Sequence, residues 1–349
     1  MPNNLSRNST AGSYRESLLQ RITQIDRAIL FLPSESPLRS AWHDVVTGET
    51  RNRVAAASEA DLAGLKLPPL FGLLDGMSPN AIKALSDDLD IIHEHSSGGL
   101  DPLTAVSSKT PMEDRKWCGA LFELYIKSVA LKHLHGTSLD YLLPNGKNID
   151  VSTELDGAQV FIECTVITDS DEDRTKFDQF MQNRAQDSAA VLAGSSNPYH
   201  DTLRMYCKVY DKLAPGFDDV KSQTSQNHGN ILFVSFFTPR GPMSVDSLGI
   251  GWALDELLID QPAGHIRLTS CPGGINGISL QDWLDFKQLQ DSGAMLEVPR
   301  RLGAISLFRE CSLHKSRINY NADRENAVTH AQIARLEELF SARPIWWSR

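Results

Sequence analysis

Two acidic side chains lie in a part of the sequence that otherwise has the composition of β-strands. Asp150 ends the run Asn148-Ile149-Asp150, and Glu163 lies inside the apolar run 160–167. A carboxylate buried in an apolar strand is costly unless it is paired, hydrogen-bonded or bound to a cation. The pattern indicates either a pair of functional carboxylates, or hairpin polarity and an edge strand whose acid faces solvent.

The two acids are expected to lie close together, because the segment between them predicts a β-hairpin. Asp156-Gly157 is a typical two-residue hairpin turn between the segments that carry Asp150 and Glu163. Neighbouring carboxylates repel each other, and a divalent cation removes that repulsion. Mg²⁺ is typically held by one or two protein carboxylates together with water and phosphate oxygens.

Predicted helices and strands surround this hairpin. Helical periodicity or helix start signals occur over residues 14–32, 55–65, 78–93, 113–135, 171–192, 203–214 and 327–339. Continuous apolar runs predict strands over residues 231–237 and 304–308. This order predicts an α/β fold with a mixed sheet. We divide the chain into a helical N-terminal region (1–105), a core (106–245) and a C-terminal extension (246–349).

The arrangement of the acids resembles the PD-(D/E)XK nuclease superfamily. In that superfamily an acid on a leading helix precedes a strand aspartate, and the next strand carries the motif (D/E)-x-K. Glu123 in GALFELYIK, Asp150 in NID and Glu163 in FIECT match these positions, and the resemblance covers residues 113–237. It implies a restriction-endonuclease-like mixed sheet flanked by helices.

The resemblance also implies an activity, which is metal-dependent hydrolysis of phosphodiester bonds in DNA or RNA, with DNA as the expected partner. Asp150, Glu163 and the main-chain carbonyl of Cys164 would hold Mg²⁺ or Mn²⁺. Glu123 would orient a water molecule or hold a second ion. Such a protein could act in defence or in DNA processing.

The sequence departs from the family pattern at two positions. The proline before the aspartate is Ile149, and the lysine of the motif is Thr165, whose hydroxyl can position water but carries no charge. The missing cation could come from another part of the chain. The candidates are Lys127 one turn after Glu123, the basic stripe of one predicted helix, and, less favoured, Lys176; the stripe is Arg204, Lys208 and Lys212.

Other interpretations stay open at this point. The chain could be an inactive nuclease-fold protein that binds nucleic acid or a protein partner, with Thr165 as the mark of lost activity. It could also be an unrelated α/β scaffold in which the acids are structural. Glu123 and Lys127 could then be a surface ion pair, Thr165 an ordinary β-branched strand residue, and the basic stripe a solvated helix face.

Charge and composition restrict the classes of partner. The 349 residues have a net charge of −10 and a pI of about 5.5, so a strongly basic nucleic-acid-binding surface over the whole chain is excluded. Positive surface would have to be local, or come from a homodimer or a protein partner. No run of 18 apolar residues predicts a membrane helix. Five scattered cysteines without a CxxC pair are typical of reduced thiols in the cytoplasm.

Overall fold

The computed structural model describes residues 9–46, 48–58, 61, 69–96, 114–144, 146–167, 229–236, 302–319 and 322–347. The chain divides into two compact units, Met1–Ser128 with Pro344–Arg349 and Val129–Arg343. Some predicted features lie outside the described residues: the helices at 171–192 and 203–214, with Lys176, Arg204, Lys208 and Lys212. No helix in the described part has both the length and the apolar composition that a membrane crossing requires.

The described part of the first unit is helical. Its helices are α1 (Ser9–Leu30), α2 (Pro37–Val45), α3 (Gly48–Ala56), α4 (Pro69–Leu74), α5 (Pro79–His95) and most of α6 (Asp114–His133). The predicted start of α5 is confirmed, since the Ser78 side chain accepts a hydrogen bond from the Ala81 N–H at 3.2 Å. The helices bury apolar residues with helical spacing, as on α1, where Leu18, Ile22, Ile25 and Ile29 are buried.

The predicted helix over 55–65 is interrupted after Ala56. A helix was expected over 55–65; α3 ends at Ala56 and residues 57 and 58 are not helical, whereas Asp61 is helical, and the other residues of this range lie outside the described ones. Ser58 and Asp61 bond to each other locally, because the Asp61 carboxylate accepts hydrogen bonds from both the main-chain N–H and the hydroxyl of Ser58. The Asp61 N–H in turn donates to the Ser58 hydroxyl oxygen at 3.3 Å, and such reciprocal bonds are the pattern of a capping box at a helix start.

The second unit contains a six-stranded mixed sheet, which confirms the α/β class. The strands are β1 (His135–Leu142), β2 (Asn148–Leu155), β3 (Ala158–Ile167), β4 (Gly229–Phe236), β5 (Ala304–Arg309) and β6 (Ser312–Ile318). Their order in the sheet follows the chain. β1, β2 and β3 pair antiparallel, β4 is parallel to both β3 and β5, and β6 is antiparallel to β5.

The predicted hairpin of β2 and β3 is present. Asp156 and Gly157 form its turn with φ angles of 50° and 76°, the positive values that a two-residue type I′ turn requires. Leu155 and Ala158 close the turn, and the register continues to Val151 and Ile162. The turn therefore fixes which residues of the two strands lie opposite each other.

The predicted apolar strands are β4 and β5, and both are internal strands of the sheet. β4 lies between two parallel neighbours, which explains its continuous apolar sequence. The predicted C-terminal helix is present as α7 (His330–Phe340), which begins with a capping box at Thr329. Its Phe340 ring lies 5.3 Å from the ring of Phe233 and 5.9 Å from that of Phe308, centroid to centroid, so α7 covers one face of the sheet.

We expect Gly303→Ala to destabilise the sheet unit strongly. A Cβ atom at Gly303 would collide with the Asn326 carbonyl oxygen and the Val328 side chain, and a collision with main chain requires the backbone to shift. The expected loss of unfolding free energy is about 1–3 kcal/mol, measured by urea denaturation. Gly72→Ala is the control, since no described atom lies within 4 Å of the added methyl. Gly72→Ala should raise the free energy of unfolding by about 0.5–1 kcal/mol, because alanine has a higher helix propensity than glycine. Equal urea midpoints for the two variants would contradict the prediction.

Candidate functional site

Glu163 lies on an internal strand and is buried. β3 is flanked by β2 and β4, and only 3% of Glu163 is exposed. The alternative of an edge strand whose acid faces solvent is therefore wrong for Glu163. The apolar pattern around Glu163 reflects β3 being covered on both faces, which sequence periodicity alone cannot distinguish from an edge strand.

Asp150 is held at the main chain of the residue that follows Glu163. Its Oδ2 atom accepts a hydrogen bond from the Cys164 N–H at 2.7 Å, and its side chain is half-buried. The described pairing of β2 with β3 ends at Val151 and Ile162, so this carboxylate satisfies a strand N–H just beyond the regular ladder. The hairpin therefore brings Asp150 to the peptide that links Glu163 and Cys164.

These groups have the chemistry that Mg²⁺ or Mn²⁺ prefers. Two carboxylates and the Cys164 main-chain carbonyl are hard oxygen donors, and such ions complete their coordination with water and phosphate oxygens. A carboxylate has about four acceptor positions, and the hydrogen bond from the Cys164 N–H uses one of those of Asp150. Within the described ranges, no group of three or more His, Cys, Asp or Glu residues could hold a metal ion. The oxygen chemistry of Asp150, Glu163 and the Cys164 carbonyl, and not a larger acidic cluster, is what would suit such an ion.

Thr165 and Cys164 are buried beside Glu163. Thr165 is 6% exposed and lies opposite Val234 of β4, whereas Cys164 is 3% exposed and lies opposite Phe233. The expectation that Cys164 belongs to the core is confirmed. Thr165, where the resemblance predicts a lysine, therefore lies in a setting that suits a β-branched side chain.

Glu123 and Lys127 belong to the first unit, where they pair on α6. The distance from Lys127 Nζ to Glu123 Oε2 is 3.7 Å, with 34% of the Glu123 side chain exposed but only 3% of that of Lys127. The interpretation of a surface ion pair is therefore wrong for Lys127. A buried lysine is uncommon and needs compensating partners, so the burial of Lys127 is itself a reason to test it by mutation.

Sequence reasoning missed the main-chain partner of Asp150 and both end strands of the sheet, β1 and β6. The hydrogen bond to Cys164 depends on where the ladder ends, which the residue types do not encode. β6 was missed because its sequence SLHKSRI is polar and does not alternate strictly between apolar and polar residues. The signal that was present is the position of this segment directly after β5 and a short turn.

Two further parts of the sequence have residue types that bind metals, the alternating acids of residues 169–173 and the pair His93 and His95. The alternating Asp169, Asp171 and Asp173, like the start of a calcium loop, lie outside the described residues. In the described helix α5, His95 Nδ1 lies 2.8 Å from the Ile91 carbonyl oxygen, one turn earlier on the same helix. This contact uses one of the two ring nitrogens of His95 locally.

Comparison of the chain with protein-family models, with curated proteins and with solved structures gives no match.

Proposed function

We propose that this protein is a divalent-cation-dependent nuclease that hydrolyses phosphodiester bonds in DNA. The observation that carries the proposal is the Asp150 carboxylate bound to the Cys164 N–H, one residue from the buried Glu163. A buried acid in an internal strand, with a second acid fixed at its neighbouring peptide, is costly for stability. A cation-binding role would account for two acids at this point of the sheet.

The proposed chemistry divides between the ion and the chain. When bound, the ion would polarise the scissile phosphate and lower the pKa of the attacking water. Asp150 and Glu163 would hold it, with the Cys164 carbonyl as a further oxygen ligand. The hairpin register and the hydrogen bond from the Cys164 N–H fix the position of the Asp150 carboxylate. The Thr165 hydroxyl could position water but not supply positive charge, which leaves Lys127, Lys208 and Lys212 as the cations to test.

The test is cleavage of DNA and RNA by purified protein with Mg²⁺ or Mn²⁺. We expect wild-type protein to cut DNA, EDTA to abolish cutting, and Glu163→Gln to lower the rate about 100-fold or more, because loss of even an indirect metal contact costs 10–100-fold. Glu154→Gln is the matched control, since Glu154 lies in the same hairpin but is exposed. It should retain the wild-type rate.

The result that would overturn the proposal is equally specific. Wild-type protein that is inactive on a broad panel of DNA and RNA substrates, and that binds neither Mg²⁺ nor Mn²⁺ by calorimetry, would exclude a cation-dependent nuclease. Activity that survives Glu163→Gln would place the chemistry elsewhere in the chain.

One observation favours a second candidate, an inactive nuclease-fold protein that binds nucleic acid or a protein partner. Thr165, at the lysine position of the motif, is buried among strand residues, as expected where a functional lysine has been replaced by a packing residue. This candidate predicts binding of nucleic acid without turnover. The same cleavage experiment, run with a binding measurement, separates the two.

A further inference from the structure

The side chains around the candidate site become more exposed toward β1. Glu163 is buried, and toward β4 and β5 the register leads from it to Leu232 and Ile305, which are buried as well. In the other direction Asp150 on β2 is half-buried, and Tyr141 on β1 is 39% exposed. Among the described residues, a ligand can therefore reach the two acids from the β1 side of the sheet but not across β4 and β5.

Tyr141 departs from the alternation of a regular strand. Leu139 lies opposite Val151, which lies opposite Ile162, so these three side chains share one face of the sheet. A regular strand would direct Tyr141 to the same face as Leu139, because side chains two residues apart point the same way. The ring of Tyr141 instead packs against that of Phe161, with 5.4 Å between the centroids. Phe161 precedes Ile162 on β3 and belongs to the opposite face, so the Tyr141 ring is turned to that face.

The main chain directly before Tyr141 accounts for this turn. Asp140 has a φ angle of 51°, in the left-handed region that is unfavourable for a residue with a Cβ atom. Strained main chain of this kind is often found at active sites and ligand clamps. Phe161 and Glu163 point to the same face of β3 and lie two residues, or about 7 Å, apart. The strained residue therefore places an exposed aromatic ring on the face that carries Glu163.

The ring of Tyr141 is supported by buried side chains and is also open to solvent. Leu143, Ile149 and Phe161 form a buried apolar cluster, and Ile149 lies opposite Tyr141 in the register. The next residue along β1, Leu142, is exposed. Proteins that bind single-stranded nucleic acid use accessible aromatic rings as platforms on which bases stack.

We propose that Tyr141 stacks on an unpaired base of the DNA substrate, next to the phosphodiester that is cut. This inference rests on the proposed function and adds a substrate class, DNA that is single-stranded at the cut. Proximity carries it, because Tyr141 lies opposite Ile149, the neighbour of Asp150. A base inside a duplex is not available to such a ring unless it leaves the stack. Stacking also needs no basic surface, which suits a chain whose net charge is −10.

A different role for Tyr141 is to cover the apolar cluster of Leu143, Ile149 and Phe161. That role predicts that a change of the side chain alters stability but not the affinity for DNA. Any effect on DNA binding through the fold would be the same for DNA with and without bases. The two roles are therefore separable by experiment.

The test is equilibrium binding by the full chain of two labelled single strands of equal length, an ordinary DNA oligonucleotide and one that lacks all bases. All proteins carry Glu163→Gln, so that cleavage is slow during the titration. Tyr141→Leu should weaken binding of the ordinary oligonucleotide about 10-fold, as expected for one lost base–aromatic stack, and leave binding of the abasic one unchanged. Tyr141→Phe keeps the ring and should bind both strands as the parent protein does.

Tyr14→Leu is the matched control. Tyr14 lies on α1 and is also exposed, so this variant makes the same change of residue type outside the sheet unit. Its affinity for either oligonucleotide should change less than about twofold.

Each outcome supports or overturns the base stack. Unchanged affinity of Tyr141→Leu for the ordinary oligonucleotide, while wild-type protein cleaves DNA, would overturn the stack and leave the nuclease standing. An equal loss of affinity for both oligonucleotides would also overturn it, because the side chain would then act through the fold. A loss confined to the ordinary oligonucleotide, in a chain whose wild type does not cleave, would support the stack and reject the nuclease. Absence of both binding and cleavage would reject both.

A second measurement serves if Tyr141→Leu fails to fold. Equal affinity of the parent protein for ordinary and abasic oligonucleotides would overturn the proposal without any change at Tyr141. Photocrosslinking to an oligonucleotide that contains bromouracil, followed by mass spectrometry, should mark Tyr141. Crosslinks found only at other residues would overturn the stack.

Discussion

Asp150→Asn is expected to abolish divalent-cation-dependent cleavage of DNA without unfolding the protein. The asparagine carbonyl oxygen can still accept the hydrogen bond that Asp150 Oδ2 receives from the Cys164 N–H. The negative charge that would hold Mg²⁺ is lost. We expect the rate to fall about 100-fold or more, while the unfolding free energy stays within about 1 kcal/mol of wild type.

Asp150→Ala separates the structural role of this side chain from its proposed chemical role. Alanine removes both the charge and the acceptor, so the Cys164 N–H loses the partner that the structure gives it. Loss of a buried hydrogen-bond partner costs about 1–3 kcal/mol. Asp150→Ala should therefore be as inactive as Asp150→Asn but less stable, as measured by urea denaturation followed by circular dichroism.

A comparison of Asp150→Asn with Asp150→Ala tests whether Asp150 holds a metal ion or only bonds to the Cys164 main chain. If Asp150→Asn cleaves DNA at the wild-type rate, the side chain acts only by bonding to the Cys164 main chain, and the metal site is wrong. If both variants are inactive and equally unstable, the loss of activity reflects folding. Asp156→Asn is a suitable control, because asparagine also tolerates the positive φ of that turn position.

The sequence was sufficient to predict the parts of the fold that depend on local patterns. The hairpin turn follows from Asp156-Gly157, because few other residue pairs adopt two successive positive φ angles. The buried strand β4 follows from an apolar run too short for a helix and flanked by polar residues. The start of α5 follows from Ser78-Pro79, a capping residue with proline at the first helical position.

The two end strands of the sheet and the burial of Lys127 could not be predicted from local sequence patterns. β1 and β6 lie at the two ends of the described sheet, so their side chains need not alternate between apolar and polar. The burial of Lys127 depends on what packs against α6, and helical spacing reports only that Lys127 follows Glu123 by one turn.

The second large effect is expected near the C-terminal end of the described chain, at Trp346. This side chain is 2% exposed, and its Nε1–H donates to Asp88 Oδ2 on α5 at 2.6 Å. Trp347 is also buried, and its ring centroid lies 6.4 Å from that of Trp117 on α6. Residues 344–349 therefore belong to the helical unit, although they follow the whole sheet unit in sequence.

Trp346→Ala is expected to lower the unfolding free energy of the helical unit by about 3–5 kcal/mol, the cost of removing a large buried aromatic side chain. Trp346→Phe keeps most of the ring volume and loses the donor to Asp88. It should cost about 1.5–3 kcal/mol, typical of a hydrogen bond to a charged group. Thermal and urea unfolding followed by circular dichroism measure both values.

Hydrogen exchange locates the effect within the molecule. The α5 amides should lose protection in Trp346→Ala, because the segment Ile345–Trp347 packs on this helix. The β4 amides should keep theirs, since β4 belongs to the other unit. Ile345→Ala is the matched control, because Ile345 is adjacent but 65% exposed and should cost well under about 1 kcal/mol. Equal loss of amide protection in α5 and β4 would contradict the prediction that the two units are stabilised separately. Wild-type stability of Trp346→Ala would contradict the packing of Ile345–Trp347 on α5.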